Sequence, residues 1–443
     1  MLKKILLALL IIVAIGAAAV AWLLRPDTAR LSNAELTGRV PVMSAVRPQS
    51  LPTVRVAQAV GWPADRAPVA PAGYRVARFA AGLAHPRTML VLPNGDVLVA
   101  ETNKASRERG GITGFAEQQI MGKAGAMVPS ANRITLLRDA DGDGVAELKQ
   151  PFITGLNSPY GMALVGSTLY VANTDALLAF PYTPGATSIS AAGRKIVDLP
   201  ATGDNSHWTK SMVASADGAL LYIGIGSNSN IGEGGLAWER GRAQIIEVRP
   251  EIAYKRPYAT GLRNAAGMAI NPATGALWAS VNERDQLGSD MVPDYMAEVE
   301  FGDFFGWPWY YWGGFRDDRV AEPDVDDRRE YVVRPDYALG VHAAQLGMSF
   351  ARNPALGAPF LNGAFVALHG SWNRNPPAGY KVVFVPFTAS GSPMDALPID
   401  VLTGFLNDEG QAMGRPADAQ QARDGALLVS DDVGNMIWRI TRQ

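Results

Sequence analysis

The chain has 443 residues, no cysteine, and 40 basic against 42 acidic side chains, for a formal net charge of −2. That balance excludes the basic face a nucleic-acid partner needs, and the missing thiols exclude disulfides, thiolate metal sites, cysteine nucleophiles and covalent haem attachment through Cys-x-x-Cys-His. With 46 glycines and 30 prolines in a composition that is 48% hydrophobic, the expectation is an all-β chain of many short elements, able to form a ring of repeated units as one domain.

In chain order, the first element is Ile5 to Leu24, twenty residues without a charge behind Lys3 and Lys4. That length crosses a bilayer as a helix, and the basic flank keeps the N-terminus in the cytoplasm. Residues 1–25 therefore read as a transmembrane anchor, with signal-peptide cleavage after Ala21 as the alternative. Both place the remaining chain outside the cytoplasm, on the periplasmic side of an inner membrane. Residues 26–72, rich in Ala, Pro, Val and Arg without a sustained period, read as a linker that carries no chemistry.

Residues 73–443 alternate strand patches with turns. Six stretches share one outline, an apolar strand, a turn, and a second strand ending in a polar loop: Pro86 to Asn103, Pro159 to Thr174, His207 to Asn228, Asn264 to Glu283, Leu346 to Ser371 and Ala417 to Asp431. Their spacing of roughly 50 to 90 residues suits four-stranded blades and predicts a six-bladed β-propeller. Tyr74 to Phe79 is expected to pair with Met436 to Thr441 and close the ring, hiding edges that would otherwise stay open. In such a ring, strand-end residues far apart in sequence converge on one channel mouth. Arg87, His207, Arg263, Asn264, Glu283 to Asp285 and His369 to Arg374 occupy such positions.

Two further motifs stand out. Asp139, Asp141, Asp143 and Glu147 have the opening spacing of an EF-hand calcium loop, but position twelve is Gln150 and no flanking helices are indicated. The segment reads as a hairpin tip and a candidate structural calcium site. Phe304 to Trp312, Phe-Phe-Gly-Trp-Pro-Trp-Tyr-Tyr-Trp, reads as blade packing, with sugar stacking the alternative.

Gly261 to Gly313, the loop Asn205 to Met212, and Ala364 to Arg374 together resemble the soluble quinoprotein sugar dehydrogenases, in particular the sorbosone and pyranose dehydrogenase branch. The specific motifs are Gly261-Leu262-Arg263-Asn264 and Asn282-Glu283-Arg284-Asp285, and the resemblance spans Tyr74 to Arg442. It implies a six-bladed propeller that holds pyrroloquinoline quinone (PQQ) and calcium at its mouth and oxidises aldoses or related aldehydes. His207 matches the family's proton acceptor, and Arg263 with Asn264 match the pair beside the quinone oxygens. Arg87, Arg374 and Arg415 match the cations that bind the cofactor's carboxylates, with Lys381 an alternative to Arg374 and with His369 and Trp372 as wall residues. The main-chain carbonyls of Arg284 and Asp285 match calcium ligands. Ser206 stands where relatives often carry an acid, which leaves the group that orients His207 unassigned.

The implied partners are a sugar or sugar-aldehyde substrate, an external electron acceptor such as a membrane quinone or a cytochrome, and the membrane through the N-terminal segment. Selectivity is expected from the loops Met121 to Ser130 and Asp317 to Arg334. Two other readings keep the fold: a calcium-dependent propeller lactonase or hydrolase, and a non-catalytic binding scaffold. A hydrolase needs carboxylates around its metal and has no evident use for the arginine set.

Overall fold

The computed structural model describes residues 6–7, 9–16, 26–105, 111–321 and 328–443. The candidate cleavage site at Ala21 and part of the loop from 317 to 334 lie outside these residues. Among the described residues no helix is long and apolar enough to cross a membrane.

Six antiparallel sheets form the blades of a propeller, with strands in chain order from the channel outward except for the outermost strands of the fourth and sixth, which come from the start of the chain. The innermost strands are Pro86–Val91, Met162–Val165, Met212–Ala214, Ala265–Ile270, Gln345–Phe350 and Pro416–Gln421, and each belongs to one of the six expected repeats. The strand Tyr74–Ala81 completes the last sheet, Tyr74 opposite Arg442 and Ala81 opposite Met436, so the ring closes between the two ends of the body, as expected.

The second strand of each blade explains the repeat pattern. Val97–Glu101, Leu277–Val281 and Gly363–Leu368 are buried at every position, because one face packs on each neighbouring blade. Such strands read as near-continuous apolar runs rather than alternating ones. The hairpin at Asp217-Gly218 shows the local chemistry that separates them. Gly218 takes φ 72°, which glycine adopts freely, and the Asp217 carboxylate accepts from the Ala219 amide at 3.1 Å.

Antiparallel order puts the start of each first strand and the end of each second strand on one face, the mouth. The Asp139, Asp141, Asp143 and Glu147 cluster sits between the third and fourth strands of the first blade, hence on the opposite face, with one oxygen from each within 4.8 Å of the others.

Two segments depart from simple blades. The insertion between Pro293–Val299 and Tyr337–Val341 carries the aromatic run, and Phe305, Tyr311 and Trp312 join the core of the fourth blade. Trp307, Trp309 and Tyr310 are buried as well, so the run packs rather than offering a stacking platform. Residues 26–72 lie along the propeller. Thr37–Gly38 adds a fifth strand to the fourth blade. Farther on, Gln49, Arg55 and Val60 donate backbone N–H groups to the Gln286, Trp372 and Ala412 carbonyls. The segment is thus a strap across the mouth-face rim of blades four, five and six.

Candidate active site at the propeller mouth

His207 lies in the loop that enters the third blade, five residues before its first strand, Met212–Ala214. Its Nδ1 donates to the Ser227 carbonyl at 2.9 Å, with the Ser227 hydroxyl at 3.0 Å, and Nε2 makes no hydrogen bond among the described residues. Burial, reinforced by the positive charge of Arg263, holds the imidazole well below its ordinary pKa. The ring is therefore neutral near pH 7, with its proton on Nδ1 and its lone pair on Nε2. Ser227, at the end of the blade's second strand, fills the orienting role that the sequence left unassigned.

Ser227 also ties the base to the next blade, its N–H donating to the Arg263 carbonyl at 2.7 Å. The Arg263 guanidinium spans the Asn230 carbonyl and side chain, the Glu283 carbonyl and the Asp285 carboxylate, at 2.8–3.1 Å. Beside it, Asn264 Oδ1 is buried without a partner. Gly226 passes between them: a Cβ there would stand 2.4 Å from both Asn264 Oδ1 and His207 Cβ. Only a residue without a side chain lets base and amide approach so closely.

Asp285 lies in the loop after the fourth blade's second strand, Leu277–Val281. Its carboxylate accepts from Asn373 at 2.7 Å and from Arg263 at 3.1 Å, with His342 Nδ1 at 3.8 Å. Its carbonyl accepts from Arg319 at 3.0 Å. Arg284 runs the other way. Its side chain is fully buried against Glu283, Asp317 and the Pro308 and Tyr310 carbonyls, which locks the aromatic insertion to the loop. Its own carbonyl makes no hydrogen bond among the described residues. The oxygens that suit a hard cation here are the Arg284 carbonyl and the Asp285 carboxylate; the guanidinium of Arg284 is scaffold.

Residues of the first, fifth and sixth blades meet on the other side of the mouth. Arg87 and His369 both bond the Asp432 carboxylate, His369 Nε2 at 2.8 Å, and His85 Nε2 stands 3.6 Å away. Burial raises the Asp432 carboxyl, but His369, His85 and Arg87 outweigh it and hold the group ionised far below the usual carboxylate range. Arg415 is 3% exposed and has no carboxylate within ion-pair distance among the described residues. It makes long bonds to the Gly370 and Ala57 carbonyls, 3.4 and 3.3 Å, above the Tyr380 ring. Arg87 Nε, Arg415 Nε and Asp432 Oδ1 are buried without partners. Orphaned polar atoms of this kind are rare in native interiors, and the two arginine donors mark a place where a ligand completes the bonding. The set fits a flat, multiply anionic molecule.

Arg374 and Trp372 occupy the rim. Arg374 braces the Ser289 and Pro376 carbonyls at 2.9 and 3.0 Å, and the Trp372 carbonyl accepts from Arg55 of the strap. Lys381 forms a surface pair with Asp400 on the blade's outer strand, so it does not replace Arg374. Sequence reasoning missed Ser227, His85 and Asp432. The last stood one residue beyond the sixth repeat, and the strand-end rule that singled out Glu283 and His369 would have reached it.

The profile of the TrAA12-like family matches residues 68–297 and 317–443. The chain belongs to the TrAA12-like family. The resemblance to PQQ-dependent sugar dehydrogenases read from Gly261 to Gly313 holds at this level. The TrAA12-like chain is 27% identical over 430 residues to the pyrroloquinoline quinone-dependent pyranose dehydrogenase of Coprinopsis cinerea, covering 84% of this chain and 54% of that protein. It thus spans about half the length of that relative. The holo PQQ domain of the same Coprinopsis cinerea dehydrogenase superposes with a TM-score of 0.66 at 23% identity, over 88% of this chain and 100% of that one. The calcium form of a Trichoderma reesei family AA12 enzyme gives 0.69 at 19%, over 88% and 99%. At these identities the two structures show that the fold is shared.

Proposed function

We propose that the chain oxidises an aldose or sugar aldehyde, of the pyranose or sorbosone kind, to a lactone or acid, with PQQ and calcium bound at the mouth. The observation that carries this reading is His207, neutral, oriented by Ser227, with Nε2 open beside Arg263 and Asn264. The name of the Coprinopsis cinerea relative and the calcium form of the Trichoderma reesei enzyme support the cofactor pair. When bound, PQQ supplies a carbonyl that accepts hydride, and calcium polarises it as a Lewis acid.

The chain's residues do the rest. His207 Nε2 takes the proton from the anomeric or hydrated-aldehyde hydroxyl as the carbon loses hydride, and the substrate becomes a carbonyl compound two electrons poorer. Arg263, fixed by its bonds to Asn230, Glu283 and Asp285, would place a positive charge beside the oxygen of a bound quinone and stabilise negative charge there. Arg87 and Arg415 would bind the cofactor's carboxylates, with His369, whose Nε2 is engaged by Asp432, beside them as a wall residue, and Asp432 keeps Arg87 and His369 in place. The Arg284 carbonyl would hold a calcium, with the Asp285 carboxylate in place of its carbonyl, which accepts from Arg319. Electrons then pass to an external acceptor, a membrane quinone or a cytochrome, and residues 1–25 anchor the chain beside it on the periplasmic side.

The test is to reconstitute the purified protein with PQQ and calcium and follow dye-linked oxidation across aldoses and sugar aldehydes. Turnover requiring both additions is expected. His207→Ala should lower kcat by roughly 10²–10⁴ while PQQ binding, followed by absorbance, persists. No bound quinone at any calcium level would sink the proposal, and lactone hydrolysis would be assayed next.

A further inference from the structure

The strap makes the direction of the mouth relative to the membrane readable. Asp27 is fixed to the mouth-face loop after the fourth blade's second strand: its carboxylate accepts from the Ser289 amide at 2.6 Å and its carbonyl from the Ser289 hydroxyl at 3.0 Å. Arg47 adds a bidentate bond to the same carboxylate, at 2.7 and 2.9 Å, and reaches Asp290 at 2.9 Å. Ser289 stands four residues after Asp285 in the same loop.

The apolar run ends at Leu24, three residues before Asp27. Three extended residues span at most about 10 Å. Wherever the run leaves a bilayer, the rim of the mouth therefore sits within that distance of the end of the span. Among the described residues the opposite face of the propeller has no such tie.

The strap itself has the composition of an interfacial segment. Between the anchored amides of Gln49 and Arg55, Leu51 is 57% and Val54 45% exposed. Arg30, Arg39, Arg55 and Arg66 are exposed along its length, against Glu35 and Asp65. Apolar side chains interleaved with arginine suit a headgroup layer carrying negative charge. Exposure alone does not decide the matter, since Leu397 on the opposite face is 52% exposed; the three-residue tether does.

We infer that the propeller lies with the rim of blades four and five against an anionic bilayer surface, its mouth turned toward the membrane, and the side of blades one to three, away from the strap, left for substrate entry. An acceptor dissolved in the bilayer then diffuses in the plane that the mouth faces. The inference rests on the anchor reading of residues 1–25.

Because the chain contains no cysteine, single labels are unambiguous. Full-length Val54→Cys and Leu397→Cys proteins, each carrying an environment-sensitive fluorophore, are reconstituted into vesicles of phosphatidylcholine and phosphatidylglycerol with a nitroxide-labelled lipid. The label at 54 should be quenched several-fold more than the label at 397. Equal or reversed quenching in protein that floats with the vesicles overturns the orientation and leaves the anchor standing. Failure of the full-length chain to float with vesicles overturns the anchor, and the orientation with it.

Discussion

At the residue scale, the mouth is organised by charges that burial has stripped of water. Lys210, three residues after His207, is fully buried, its ammonium donating to the Trp208 carbonyl at 3.0 Å. Burial, with Arg242 adding to it, pushes its pKa down to about 7. The folded state therefore releases a proton that the unfolded chain keeps up to its ordinary pKa of about 10.4. Below about pH 7 both states are protonated and the penalty is complete; as pH rises through that window the unfolded state binds more protons and stability recovers. Wild-type stability relative to Lys210→Met should rise by roughly 2 kcal/mol between about pH 7 and about pH 9, read from paired denaturant titrations. His207 contrasts with it, since its lowered pKa keeps the base neutral and the acid limb of kcat falls below pH 6.5 rather than near it.

At the element scale, close approach and anchoring decide what the loops can do. Gly226→Ala would drive a methyl into Asn264 and His207. The expected result is a loss of about 1–3 kcal/mol in denaturant titration, together with a fall in kcat larger than any change in quinone binding. The strap has no core of its own: Ala57 and Trp62 pack on the last blades, while its first part, residues 26–50, is tied largely by hydrogen bonds and ion pairs to the mouth-face loop. Arg47→Ala removes its bonds to Asp27 and Asp290. Local opening should follow without global unfolding, seen as faster proteolysis within residues 26–60 at an unchanged unfolding midpoint for the propeller.

At the scale of the whole molecule, the ring closes on strands from both ends of the body while its mouth is lined by loops from several blades, so site and fold are coupled. A ligand that binds only the folded ring stabilises it by RT ln(1 + [L]/Kd), about 2.7 kcal/mol at a hundredfold excess over Kd. PQQ with calcium should raise the unfolding midpoint accordingly. Arg415→Ala, which removes a buried cation lacking an acid partner, should shrink that gain while leaving the midpoint of the unliganded protein little changed or higher.

Several features of this protein were decided by the sequence alone. Apolar strand pairs bounded by turns at a regular spacing specify six blades, because each pair must bury both faces against a neighbour. Strand-end placement selected Arg87, His207, Arg263 and His369, because a ring of antiparallel blades sends those ends to one face. The tertiary structure decided the rest. Ser227 orients His207 through a backbone carbonyl, which has no residue signature. Asp432 joins Arg87 and His369 although the three lie in different stretches of chain. Residues 26–72, without periodicity, read as a linker because irregular backbone satisfied by distant loops leaves no local pattern; their hydrogen bonds to Gln286, Trp372 and Ala412 exist only once the ring has closed.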